Sequence, residues 1–114
     1  MNGTSPSISF DRMFQALADP NRRGFVEHLA RKPASVKELA ASADVGLPAV
    51  LKHLRILEDG GLVISEKAGR VRTYRMQKDA FAAINAWIDQ RQAAMNLAFD
   101  RLVSLMAELP EEEE

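Results

Sequence analysis

Four breaks in the first 61 residues set how long any helix there can be. They fall at Asp19-Pro20, Lys32-Pro33, Asp44-Val45-Gly46 and Gly60-Gly61. Proline fixes its own φ and disfavours helix in the residue before it, and glycine favours a helix end. Between the breaks, apolar residues recur at helical spacing. After Gly61 the period changes from 3.6 to 2, and from about Lys78 the helical period returns. The order read from this is helix, helix, helix–turn–helix, β-hairpin, long helix: a mainly α chain with one small hairpin.

Each segment carries its own start and stop signals. Residues 9–18 place Phe10, Met13, Phe14 and Leu17 on one helical face. Asp19 is the expected N-cap of the next helix, with Pro20 in its first position and Phe25, Val26 and Leu29 turned inward. Ser35 and Glu38 have the spacing of a capping box ahead of "VKELAASA", in which Val36, Leu39 and Ala40 face inward. "LPAVLKHLRILED" begins with Pro48 in its first turn, buries Val50, Leu54 and Leu57, and stops at Gly60-Gly61. "LVISEK" and "RVRTYRM" are rich in β-branched residues and flank Gly69, which supplies a hairpin turn. In the last helix, from about Lys78 to Leu109, apolar residues spread over more than one face.

The 114 residues suit one domain, expected over residues 9–109. Residues 1–8 read as a disordered tail and residues 110–114 as an acidic one. There is no cysteine, which excludes disulfides and thiolate chemistry and suits a reducing cytoplasm. No apolar run approaches the ~18 residues of a membrane span, and "MNGTSPSISF" lacks the features of a signal peptide. No Ser/His/Asp constellation, phosphate-cradling glycine loop or pair of catalytic carboxylates stands out, so no enzyme, cofactor or metal is expected. His53 and His28 read as packed residues rather than ligands.

Net charge is −1, but five glutamates, at 108 and 111–114, dominate it; the remainder carries +4. Residues 47–78 hold seven bases against three acids. Such asymmetry fits either a polyanion partner or a solvated face. In a helix–turn–helix the second helix offers its outer face to the DNA major groove. Here that face carries Leu47, Pro48, Leu51, Lys52 and Arg55. Lys52 suits a phosphate, and Arg55 a phosphate or a guanine edge. Leu47 and Leu51 cannot hydrogen-bond but can press on a thymine methyl; Leu51 could equally seal the rim of the core. Lys67, Arg70 and Arg72 on the hairpin can reach phosphate or a minor groove, or serve to guard an exposed strand edge. Arg75, nearer the body, reads as structural. Phe10, Phe14, Trp87, Ile88 and Phe99 supply surplus apolar surface for a two-fold dimer. Its two recognition helices would meet half-sites about 34–36 Å apart on double-stranded DNA.

Four blocks in order, "FQALADPNRRGFVEHL", "SVKELA", "HLRILEDGGLV" and "GRVRTYRM", resemble the ArsR/SmtB family of winged helix-turn-helix repressors over roughly residues 10–76. The resemblance implies a homodimer through the terminal helices, operator binding through residues 47–58, a basic wing at 65–72 and release of DNA by an effector. The founding members sense metals through cysteines in the third helix or Asp/His pairs in the last. This chain has no cysteine and its last helix no histidine, so it resembles the branch without metal sites. Where family members often carry serines on the recognition helix, this chain has Pro48 and Leu51. The expected function is a sequence-specific dimeric repressor on an inverted-repeat operator. The alternative is a winged-helix protein-interaction module without DNA binding.

Overall fold

A computed structural model of the chain describes residues 9–110. The readings of residues 1–8 and 111–114 as tails lie outside the described residues. Five helices and three strands follow in the order α1 (Phe10–Leu17), α2 (Pro20–Arg31), β1 (Ala34–Ser35), α3 (Val36–Ala41), α4 (Leu47–Asp59), β2 (Val63–Ala68), β3 (Val71–Met76) and α5 (Ala82–Glu108). Two compact units divide between Phe81 and Ala82.

The helix ends are made by the residues that signalled them. Asp19 Oδ2 accepts from the backbone N–H of Asn21 at 2.9 Å and of Arg22 at 3.1 Å, with Pro20 at the start of α2. Ser35 and Glu38 close a reciprocal capping box at 3.1 and 2.9 Å. At the end of α4, the N–H of Leu62 donates to Leu57 O and that of Gly61 to Glu58 O, at 3.1 and 3.0 Å. That pair of bonds is a Schellman motif, and it needs the left-handed backbone found at Gly61, φ 77°.

Phe25, Val26 and Leu29 of α2, Leu39 of α3, Val50, Leu54 and Leu57 of α4, then Leu62, Val63 and Tyr74, form the core of the first unit. α1 packs on α4, α3 on α4, and α2 on β3. α1 turns inward Met13 of the Phe10/Met13/Phe14/Leu17 stripe together with Ala16, which lies outside it. Met13 and Ala16 are buried and Phe14 is 40% exposed, because a small residue, Ala16, is what lets α1 meet the end of α4. In α3 only Leu39 is fully buried; Val36 and Ala40 are half-buried.

The hairpin is antiparallel, with Val63 opposite Met76 and Ala68 opposite Val71. Gly69 takes φ 64° in its two-residue turn. A strand the sequence pattern does not announce, β1, pairs with β3 through Ala34–Tyr74 and Ser35–Thr73, giving a sheet of order β1-β3-β2. This is a helix–turn–helix followed by a β-hairpin wing.

The second unit is α5. It begins at Ala82 rather than about Lys78, because residues 78–81 form turns. Of its residues only Ile84 is buried, while Ile88, Met95, Leu97, Phe99, Leu102, Val103, Leu105 and Met106 are all at least 47% exposed. Among the described residues no helix is long and apolar enough to cross a membrane.

Candidate nucleic-acid interface

α4 is anchored on one side and open on the other. Val50, Leu54 and Leu57 have no accessible surface, whereas Leu47, Pro48, Leu51, Lys52 and Arg55 are all exposed. Leu51 is 45% exposed, which removes it from the core. The face at positions 47, 48, 51, 52 and 55 repeats at helical spacing, so these side chains share one outward strip. Among the described residues, Lys52 and Arg55 enter no ion pair.

The inner side of α4 is held by a polar clamp. Arg22 donates through Nε to Ala16 O at 2.8 Å and through Nη2 to Gln15 O at 3.0 Å, both in the last turn of α1. Its Nη1 lies 3.1 Å from His53 Nδ1. A guanidinium has no acceptor, so Nδ1 accepts and the His53 proton resides on Nε2. The imidazole tilts against the Phe25 ring, 6.2 Å between centroids. His53 is thus the packed residue the sequence suggested. Burial works to raise the Asp19 carboxyl, 4.0 Å from His53, but hydrogen bonds from the Arg22 and Asn21 backbones and the Arg22 charge outweigh it and hold Asp19 below the usual carboxylate range. The Ser35 N–H and hydroxyl likewise lower Glu38.

The wing divides its cations by face. Alternation puts Val63, Ser65 and Lys67 on one side with Tyr74 and Arg72 of the partner strand. Arg75 is on the other side and binds Glu66 through Nη2 at 3.1 Å, which makes it the structural arginine. Lys67 stands directly opposite Arg72. Like charges in that position repel and destabilise an isolated hairpin. Arg70 is in the turn, exposed, and neither it nor Lys67 enters an ion pair among the described residues.

Arg72 has a second role that sequence reading missed. Its Nη1 donates to Ser65 Oγ at 2.9 Å, and that hydroxyl donates to Glu58 Oε2 at 3.2 Å. This relay ties the wing to the last turn of α4. Tyr74 closes the same corner; burial, then the Glu58 charge, pushes its phenol above the usual value. Register was the missing signal, since Ser65 and Arg72 meet only once the hairpin pairing is known.

The residues proposed for dimerisation fall in both units. Phe10 is half-buried and stacks on Phe14 at 6.3 Å between centroids. Trp87 is half-buried with Arg91 4.6 Å above its ring, Ile88 is 47% exposed and Phe99 64%. Among the described residues no group of three or more His, Cys, Asp or Glu is placed to hold a metal. A cleft of about 630 Å³ lies among Arg12, Met13, Glu58, Gly60, Val63 and Ala80.

Known proteins share this arrangement. Residues 17–66 match the family described as helix-turn-helix domain. The chain is 42% identical over 80 residues to the HTH-type transcriptional regulator Rv2034 of Mycobacterium tuberculosis, spanning 70% of this chain and 75% of that one. It is 44% identical to the solved ArsR family transcriptional regulator RHA00566, at a TM-score of 0.73, covering 76% of this chain and 96% of that chain. A homodimeric winged helix-turn-helix DNA-binding domain, Mb0332 of Mycobacterium bovis, is 26% identical at a TM-score of 0.61, covering 85% and 94%. With its helix–turn–helix, its wing and these relatives, the chain belongs to the ArsR/SmtB family of winged helix-turn-helix transcriptional regulators.

Proposed function

We propose that this protein is a cytoplasmic, homodimeric repressor that binds an inverted-repeat operator in double-stranded DNA. The observation that carries this reading is the placement of cations. Lys52 and Arg55 project from the open face of α4, and Lys67 faces Arg72 across the wing. A polyanion passing over that surface attracts both Lys67 and Arg72 and so offsets the repulsion between them. In this reading α4 lies in the major groove, with Leu47, Pro48 and Leu51 at its leading end and Lys52 and Arg55 behind them. Lys67, Arg70 and Arg72 follow the phosphates beside it. The dimer is supported by the exposed apolar residues of α5 and by the homodimeric Mb0332 domain. The cleft beside Glu58 and Val63 has room for a small-molecule effector, which would touch the end of α4 and the base of the wing together.

The test is duplex DNA from the region upstream of the protein's own coding sequence, titrated by fluorescence anisotropy at several salt concentrations. Binding should weaken linearly in log–log form as salt rises, through release of counterions. Lys52→Ala with Arg55→Ala should weaken binding and lower that slope by about one for each phosphate left without its cation. Binding that is absent, or unmoved by salt and by both substitutions, would favour the protein-interaction module.

A further inference from the structure

The leading turn of α4 has an unusual chemistry for a reading end. Leu47 is 52% exposed, Leu51 45% exposed and Pro48 exposed, while Ala49 is half-buried and Val50 fully buried. Lys52 is the first residue of α4 with a side-chain donor or acceptor. The N-cap is Gly46, and no side chain caps the helix there. Residues at the start of a recognition helix are the ones that meet base edges. Here their side chains have nothing with which to hydrogen-bond a base.

Two exposed leucines four residues apart need an occupant. The core is not one, since Val50, Leu54 and Leu57 fill it from the opposite side of the same helix. A second α4 is a poor one, because Lys52 and Arg55 on the same strip would face their own copies across a two-fold axis. Their charge complements DNA. In the major groove of unmodified DNA the C5-methyl of thymine is the apolar group presented on a base edge.

We propose that Leu47 and Leu51 read thymine C5-methyl groups, so that this protein's operator is recognised by apolar contact at thymines, with Lys52 and Arg55 supplying the polar contacts behind them. The proposal rests on the DNA-binding reading above and specifies how sequence is read.

The test uses the full chain to select duplexes from a random pool. A selected duplex is then made with thymine and with deoxyuridine, which lacks only the methyl. Each contacted methyl should be worth about fourfold in affinity, so two half-sites should lose roughly tenfold or more on removal of the methyls. Leu47→Ala with Leu51→Ala should bind the thymine and uracil duplexes equally, while its far-ultraviolet circular dichroism and Tm stay near those of the parent, as both side chains are exposed. A scrambled duplex should show no thymine effect. Equal binding of the thymine and uracil duplexes by the parent protein overturns the proposal, and because that comparison changes only the DNA it does not depend on a variant folding. Salt-sensitive binding without enrichment of any sequence also overturns it and leaves DNA binding standing. Absence of salt-sensitive binding overturns both.

Discussion

Gly60 ends α4 with φ −80°, a backbone any residue adopts, so its identity is decided by what surrounds it. A Cβ built there would sit 3.1 Å from Ala16 Cβ and 3.1 Å from Arg12 O, on the helix packed across it. Backbone cannot yield as a flexible side chain does. Gly60→Ala should therefore destabilise the protein by about 1–3 kcal/mol, the usual range for overpacking, read as a lower urea midpoint at unchanged m-value. Gly61 differs: its neighbourhood is open, but φ 77° places it where L side chains are strained. Two adjacent glycines thus serve one by its space and the other by its angle. Arg22 shows a third kind of constraint. It binds two carbonyls of α1 and one imidazole of α4, a fork-shaped demand that the single ammonium of lysine does not match.

At the level of elements, the relay Arg72–Ser65–Glu58 joins the wing to the recognition helix. Ser65→Ala removes both hydroxyl bonds. If DNA needs wing and helix in one fixed geometry, affinity should fall roughly two- to tenfold, the worth of one ordinary hydrogen bond, while Ser65→Thr retains the hydroxyl and the binding. Anisotropy titration at one salt concentration checks this, and unchanged affinity in Ser65→Ala would dismiss the coupling. The helices were legible in the sequence because their determinants are local: Asp19, Ser35 and Glu38 act within three residues, and Val50, Leu54 and Leu57 declare a face by spacing alone. The strand Ala34–Ser35 was not legible. It is two residues long, and its pairing with Thr73 and Tyr74 spans some 40 residues of chain. The exposed stripe at Leu47, Leu51, Lys52 and Arg55 could be drawn from periodicity. Whether Leu51 belonged to core or surface could not, because that depends on how far the packing of neighbouring helices reaches. The part Ala16 plays in packing α1 was not legible for a related reason. Phe10, Phe14 and Leu17 outweigh Ala16 in any count of apolar residues, but a close approach to Gly60 selects the small one.

For the whole molecule, α5 holds most of the exposed large apolar side chains among the described residues. Ile88, Met95, Phe99, Leu102, Met106 and Leu109 recur at spacings of seven, four, three, four and three, the seam of a coiled coil, and all are exposed. A 27-residue helix is about 40 Å long, ample for pairing with a second copy. The parent protein should sediment as a dimer at micromolar concentration, and Phe99→Asp should shift it toward monomer with weaker operator binding. A parent monomer at that concentration would count against the seam. The order of the chain adds a consequence for synthesis. The sheet of the DNA-reading head is complete once β3, ending at Met76, has left the ribosome, and every residue of α5 follows it. At roughly 5–20 residues per second, the stretch from Met76 to the end of α5 takes a few seconds, so the head can begin to fold before the sticky helix is whole. Each nascent chain can thus settle its reading head first and expose its adhesive surface last, when a finished neighbour is the partner best placed to cover it.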